Sequence, residues 1–211
     1  MGMTLVRGDL NDRVVDDRGR IYVGNLGYDF FGDENKALAD LIVVEPDGAP
    51  RIAVGECDFP NGTVIKYADR TLVVAETWSC RLTAFDRADD GNLSGQHIYA
   101  DLGARMPDGI CIDGEGGIWV SSFNSGEFVR VHEGGEATDR VLCEGKRAVA
   151  CQLGGRDGRT LFCCTDGGTV EEIHTRACRG HRDRAGRRFR SHGHVKSRKT
   201  IKQGKRQCNA M

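Results

Sequence analysis

Three short polar motifs carry the residue types in this chain that are best suited to chemistry. They are Asn11-Asp12, Pro60-Asn61-Gly62 and Pro107-Asp108-Gly109, and each precedes an apolar run by about ten residues. If they met, their amide and carboxylate oxygens would form the hard ligand cluster that Ca²⁺ or Mg²⁺ prefers. Alternatively, Asn-Gly and Asp-Gly are ordinary turn residues, chosen because they tolerate left-handed backbone. The spacing alone leaves both interpretations open.

The motifs recur because the chain repeats. Met106–Val120 shows the unit: a polar motif, an apolar run, an acidic Gly-rich turn and a second apolar run, which together predict a β-hairpin. Each complete repeat contains four such runs, and the repeat length is about 45 residues. This pattern predicts an all-β protein, a β-propeller with about three and a half four-stranded blades. A β-sandwich with accidental spacing is the alternative.

The propeller prediction places the three motifs together. The first strand of each blade lies innermost, beside the central channel, so the residues just before those strands should converge at one rim. We therefore expect Asn11, Asn61 and Asp108 to share an axial pocket. Trp78 and Trp119 should pack between blades, with a pocket role left open for either one.

Composition limits the class of protein. The chain has 211 residues with 29 Gly and 7% aromatic residues, which favours many short strands over helices. It contains no apolar stretch of about 18 residues and no apolar segment near its start, so we expect neither a membrane span nor a secretory signal. Nine cysteines without a C-x-x-C pair predict buried, reduced thiols and a cytoplasmic protein.

The charge is unevenly distributed. From His174 onward there are 13 Lys/Arg and one acid, which leaves 17 of the 30 basic and 30 of the 31 acidic residues in the preceding part. We therefore expect two regions: a partial propeller over 1–165 and a basic tail over 166–211 that is disordered or out of frame. The tail has a single aromatic residue, Phe189, and offers no stacking platform, so we expect no nucleic-acid partner.

Four linked motifs resemble the regucalcin/gluconolactonase family of six-bladed propellers. They are N-D-x-V-V-D-D-x-G-R-I-Y-V-G-N-L-G-Y-D (Asn11–Asp29), F-P-N-G-T-V-I (Phe59–Ile65), P-D-G-I-C-I-D-G-E-G-G-I-W-V (Pro107–Val120) and A-C-Q-L-G-G-R-D-G-R-T-L-F (Ala150–Phe162). They occur in the family's order, and several motifs in order are more specific than any one of them.

The resemblance implies a function and a role for each site residue. The family hydrolyses lactones, typically sugar lactones, with one divalent metal ion in the axial pocket. Asn61 is then a metal ligand, Asp108 is a second ligand and the catalytic acid/base, and Asn11 binds the substrate. Ca²⁺ is the expected ion, with Mg²⁺, Mn²⁺ or Zn²⁺ as alternatives, and a metal-activated water would attack the lactone. The alternative function is a non-catalytic propeller that binds a partner.

The chain also departs from the family pattern. The family's third protein ligand is a glutamate well before the N-D motif, but only ten residues precede Asn11 and none is Glu. The family often has an arginine two residues before that Asn, where this chain has Asp9. The fourth repeat also ends early. We therefore expect a partial copy that is poorly stable and weakly active.

Overall fold

The computed structural model describes residues 5–32, 34–66 and 70–168, together with the backbone of Thr200–Lys202. Within those ranges the regular structure is entirely β-strand, and no helix there is long and apolar enough to cross a membrane. Residues 67–69 and most of the predicted basic tail lie outside the described residues. The disorder expected for that tail stays a prediction.

The strands form separate antiparallel sheets in chain order. The first sheet contains β1 (Leu10–Val15), β2 (Ile21–Asn25), β3 (Ala39–Val44) and β4 (Pro50–Cys57). The second contains β5 (Pro60–Lys66), β6 (Thr71–Glu76), β7 (Arg81–Arg87) and β8 (Leu93–Asp101). The third contains β9 (Pro107–Ile112), β10 (Ile118–Ser122), β11 (Glu127–Val131) and β12 (Ala137–Leu142). The fourth contains β13 (Arg147–Gly154), β14 (Thr160–Asp166) and β15 (Thr200–Lys202).

This arrangement confirms the predicted all-β fold with three four-stranded blades and part of a fourth. Each four-stranded sheet is a simple meander, in which each strand pairs with the next one in the chain. The sheet order rules out a sandwich, because a sandwich would pair strands from different repeats within one sheet. The short strand β15 was not predicted. Its backbone pairs with β14 and gives the fourth sheet a third strand.

The sheets pack face to face around their inner strands. Strand β1 contacts β5, β5 contacts β9, and β9 contacts β13, so the first strands of successive sheets lie side by side. Alternating side chains of each strand point to opposite faces, which gives every inner sheet two buried faces. The core between the first and second sheets contains Tyr22, Leu41, Val43, Ile65, Leu72, Val74 and Phe85. The core between the second and third contains Val73, Leu82, Tyr99, Ile110, Ile118, Val120 and Val129.

A β-bulge occurs at the same place in each inner strand. The pairing register shifts across residues 10–13 of β1, 60–63 of β5, 107–110 of β9 and 148–150 of β13. In each case the inner strand has one residue more than its partner, and such an insertion re-aims the local side chains. The first three bulges contain the predicted site residues Asn11, Asn61 and Asp108. These residues therefore lie within the strands, not before them.

The glycines of the two X-Gly motifs serve close packing. Neither Gly62 nor Gly109 has a positive φ, so the interpretation of these motifs as left-handed turns is wrong. A Cβ on Gly62 would lie 2.5 Å from the backbone nitrogen of Ile110, and one on Gly109 would lie 2.9 Å from the Cα of Ala150. Glycine at these bulges thus lets each inner strand approach the next one.

A polar turn fixes the hairpin that carries Asp108. The carboxylate of Asp113 accepts hydrogen bonds from the backbone nitrogens of Glu115 and Gly117, both at 2.9 Å. The guanidinium of Arg130 on β11 also binds it, with Nε 2.5 Å from Oδ2. Burial opposes ionisation of Asp113, but these hydrogen bonds outweigh it and lower the pKa of the carboxyl.

Candidate functional site

A cavity of about 860 Å³ opens at the rim where the inner strands begin, and it contains all three predicted site residues. Asn11 comes from β1, Asn61 from β5 and Asp108 from β9, so three sheets contribute to it. Its size lies within the range of small-molecule sites, which is roughly 300–1,000 Å³. The structure thus brings the sequence-predicted residues together in one pocket.

Asn61 and Asp108 are neighbours held by a third residue. The buried Asn61 donates a hydrogen bond from Nδ2 to Thr77 Oγ1 at 3.2 Å. The hydroxyl of Thr77 in turn donates to the backbone carbonyl of Pro107 at 2.8 Å. Because Pro107 directly precedes Asp108, Thr77 ties the Asn61 side chain to the strand that carries the carboxylate. Thr77 therefore positions the pair.

The carboxyl of Asp108 has an unusual protonation equilibrium. Burial raises its pKa from 3.8 to about 7, and the negative charge of Asp12 adds to the rise. Hydrogen bonds from the Asn61 side chain and from the backbone of Gly109 oppose it. The group can therefore gain or lose a proton close to neutral pH, as a general acid or base must.

Asn11 lies on the first sheet's side of the pocket. Its Nδ2 donates to the backbone carbonyl of Pro60 at 3.2 Å, which links β1 to β5 beside Asn61. Asp9 lines the same side. The position at which the family resemblance suggests an arginine is therefore occupied by an acidic residue that lines the pocket.

The residues present fit a divalent metal ion, but incompletely. Asp108 and Asn61 offer a carboxylate and an amide oxygen, both hard ligands, and a cation would offset the cost of ionising the buried carboxyl. In the part of the chain that the structure describes, no group of three or more His, Cys, Asp or Glu side chains surrounds a possible metal position. Water or substrate would have to supply the remaining ligands.

Sequence reasoning missed the apolar side of this pocket. Phe30, Phe31, Phe59 and Trp78 line it, and their rings contact one another. Trp78 is thus a pocket residue, whereas Trp119 is buried in the core between the third and fourth sheets. A signal existed in the motif F-P-N-G, because Phe59 is two residues from Asn61. Nothing in the sequence linked Phe30 to either.

Comparisons with known proteins identify the family and the fold. The family model for the SMP-30/Gluconolactonase/LRE-like region matches residues 5–167. Regucalcin from Danio rerio is 29% identical over 156 residues, covering 72% of this chain and 52% of that protein. A gluconolactonase from Xanthomonas campestris is 24% identical with a TM-score of 0.65, covering 76% of this chain and 55% of that structure. A calcium-binding regucalcin from Agrobacterium tumefaciens is 20% identical with a TM-score of 0.66, covering 80% and 57%.

The folds of the two solved structures support the propeller-type architecture. The chain spans about half the length of the relatives it matches.

Proposed function

Since the chain belongs to the SMP-30/gluconolactonase/LRE-like family, we propose that it binds one divalent cation through Asn61 and Asp108 and hydrolyses a lactone. The observation that carries this proposal is the position of Asp108: a carboxyl with a pKa of about 7, beside an amide ligand, at the polar end of a ligand-sized pocket. We propose Ca²⁺ as the ion because both ligands are oxygens, with Mg²⁺, Mn²⁺ or Zn²⁺ as alternatives.

Asp108 would move the proton in this reaction. A bound cation would polarise the lactone carbonyl and lower the pKa of water. Water attacks the carbonyl carbon, and Asp108 accepts the proton that this water loses as the new C–O bond forms. When the ring C–O bond breaks, Asp108 returns the proton to the departing ring oxygen. The product is a hydroxy acid, and Asp108 ends the cycle ionised.

Asn61 and Asn11 would have supporting roles. Asn61 ligates the cation without adding negative charge, and Thr77 holds its side chain in place. Asn11 lines the same pocket and would contact the substrate. Among the described residues, no group of three or more His, Cys, Asp or Glu side chains surrounds the site. The metal should therefore be weakly held and the activity low, because affinity falls as the number of charged ligands falls.

A non-catalytic binding module is the second candidate. It is favoured by the lack, within the described ranges, of a third acidic side chain beside Asp108. Such a module would use the pocket to hold a small molecule and would not need a bound cation. Lactone turnover and metal binding therefore separate the two functions.

The test is calorimetric titration of the full chain with Ca²⁺, Mg²⁺, Mn²⁺ and Zn²⁺, followed by lactone hydrolysis with the best ion. Asp108→Asn should abolish binding, and Thr77→Val should weaken it about tenfold by releasing Asn61. The matched control is Asp157→Asn, which changes an exposed aspartate in the β13–β14 turn. If no ion binds, or if Asp108→Asn and Asp157→Asn bind the ion equally well, the assignment of Asp108 as a metal ligand is wrong. Binding of a lactone in the pocket without its hydrolysis supports the second candidate.

Its location in the cell also stays a proposal. The seven cysteines in the described ranges form no disulfide with one another, and several are buried in the cores. Reducing compartments maintain cysteines in this state, which supports a cytoplasmic protein. A small-molecule lactone is the partner we propose.

A further inference from the structure

The apolar side of the pocket is a continuous aromatic surface. We define the aromatic wall as Phe30, Phe31, Phe59 and Trp78. Phe30 is its centre, with ring centroids 5.0 Å from Phe31, 5.6 Å from Phe59 and 5.9 Å from Trp78. Phe30 keeps 36% of its surface exposed, so its ring is available to a ligand.

The wall is held in position by strained and polar contacts. Phe59 has a φ of 60°, a left-handed conformation that is unfavourable for a bulky residue. Two hydrogen bonds clamp this segment: Asp58 N donates to Glu76 Oε2 at 2.7 Å, and Thr77 N donates to the carbonyl of Phe59 at 3.2 Å. Such strain persists only where the surroundings enforce it, and here it turns an aromatic ring toward the pocket.

The indole of Trp78 is fixed in a similar way. Its Nε1 donates to the hydroxyl of Tyr28 at 3.2 Å. The single polar atom of the indole is therefore paired away from the ligand space, and the ring contributes apolar surface to the wall. The wall is thus a built feature that spans the first and second sheets.

The aromatic wall lies close to Asn61, at the end of the pocket where we propose that hydrolysis occurs. Phe59 and Asn61 are separated by one residue, so their Cα atoms are at most about 7 Å apart. Thr77, which holds Asn61, directly precedes Trp78. A lactone with its carbonyl at Asn61 and Asp108 would therefore lay its ring or side group against the wall.

The charge of the pocket lining further limits which substrates the pocket favours. The charged residues that line the pocket within the described ranges are Asp9 and Asp108, and no Lys, Arg or His lines it. The two carboxylates balance the charge of one bound divalent cation, so the pocket gives an anionic substrate no net attraction, and a neutral substrate is favoured. A polyhydroxylated ring would also bury hydroxyls against aromatic carbon without partners, which is costly.

We propose that the preferred substrate is a neutral lactone with an aromatic or apolar portion, not a sugar lactone. This inference rests on the proposed function, which places the lactone carbonyl at Asn61 and Asp108. The wall binds the apolar portion by stacking and area burial, while Asn61 and Asp108 face the carbonyl. The aromatic wall is then the specificity-determining surface of the pocket.

The experiment compares two six-membered lactones, dihydrocoumarin and glucono-δ-lactone, as substrates of the full chain. We expect kcat/KM to be at least about tenfold higher for dihydrocoumarin, the ratio that about 1.4 kcal/mol of stacking gives. Phe30→Ala should raise KM for dihydrocoumarin about tenfold and raise KM for glucono-δ-lactone much less. Phe30→Leu keeps apolar volume without a ring, so its KM for dihydrocoumarin should lie between those of the unmodified chain and Phe30→Ala. Phe162→Ala is the matched control, because Phe162 has a similar exposure of 38% and lies on β14.

A second readout separates this inference from the proposed function. The lactam analogue of dihydrocoumarin resists hydrolysis, so calorimetry with it measures binding alone. Lactam binding that weakens in Phe30→Ala but not in Phe162→Ala supports the wall even if no lactone is hydrolysed. Equal turnover of both lactones, or no lactam binding, overturns the inference. Equal turnover would leave the proposed hydrolysis standing.

Discussion

Replacing Gly62 by alanine tests the packing that brings the site residues together. The added Cβ would lie 2.5 Å from the backbone nitrogen of Ile110 and 2.6 Å from the backbone carbonyl of Asp108. Both contacts are with backbone of β9, which cannot rotate away as a flexible side chain could. Relief therefore requires β5 and β9 to separate, and that movement would draw Asp108 away from Asn61.

The size of the effect follows from overpacking. Forcing an extra methyl into a close-packed interface typically costs about 1–3 kcal/mol. For a domain of this size, each kcal/mol lowers Tm by roughly 2–4 °C, so Gly62→Ala should lower it by about 2–12 °C. The same separation should weaken divalent-metal binding, because the two proposed ligands come from the two strands that move.

The assay is thermal unfolding of the metal-free chain, followed by calorimetric metal titration. Gly114→Ala is the matched control, because Gly114 lies in the β9–β10 turn, has no positive φ and would place its Cβ with no other atom within 4 Å. That variant should be neutral or more stable by up to about 1 kcal/mol, since alanine restricts the unfolded chain. Equal Tm and equal metal affinity for the two variants would refute the close-approach argument.

Two further predictions concern charge. Because burial raises the pKa of Asp108 from 3.8 to about 7, its stabilising contribution in the metal-free protein should be full below about pH 4 and lost as the pH rises through 7. Protons compete with the metal for the same carboxylate, so calorimetry should show weaker binding as the pH falls below about 7, and a pH-independent affinity would contradict this. Arg130→Met should cost about 3–5 kcal/mol in urea unfolding, because Asp113 would stay buried without its partner. Arg18→Met, which loses an exposed contact with Asp89, should cost less than about 1 kcal/mol, and equal losses would show that burial does not matter.

The fold could be predicted largely from local information. Strands and hairpins depend on residue alternation and turn chemistry within about ten residues, and the blade repeat shows both. The recurrence at about 45 residues then implies a stack of similar sheets. The pocket positions of Asn11, Asn61 and Asp108 follow from the same repeat, since equivalent residues in stacked sheets occupy equivalent places. Their roles as ligands or catalyst stay predictions.

Other features could not be predicted from local sequence, because they depend on contacts between different strands and sheets. The bulges at Asn61 and Asp108 depend on pairing register, and the sequence of one strand does not fix its register. Gly62 was open to interpretation as a turn residue, and only the position of the neighbouring backbone shows why a side chain is excluded. Strand β15 belongs to a segment without strand alternation and is defined by its pairing with β14.

The sequence by itself determined an all-β repeat and the amide and carboxylate groups that line one rim of it. It could do so because strand alternation and repeat length are local or periodic properties. The tertiary structure alone decided that Phe30, Phe59 and Trp78 form one surface opposite those polar groups. Residues so far apart in the chain meet only when sheets pack, and their contact is an outcome of packing geometry, which no single stretch of sequence encodes.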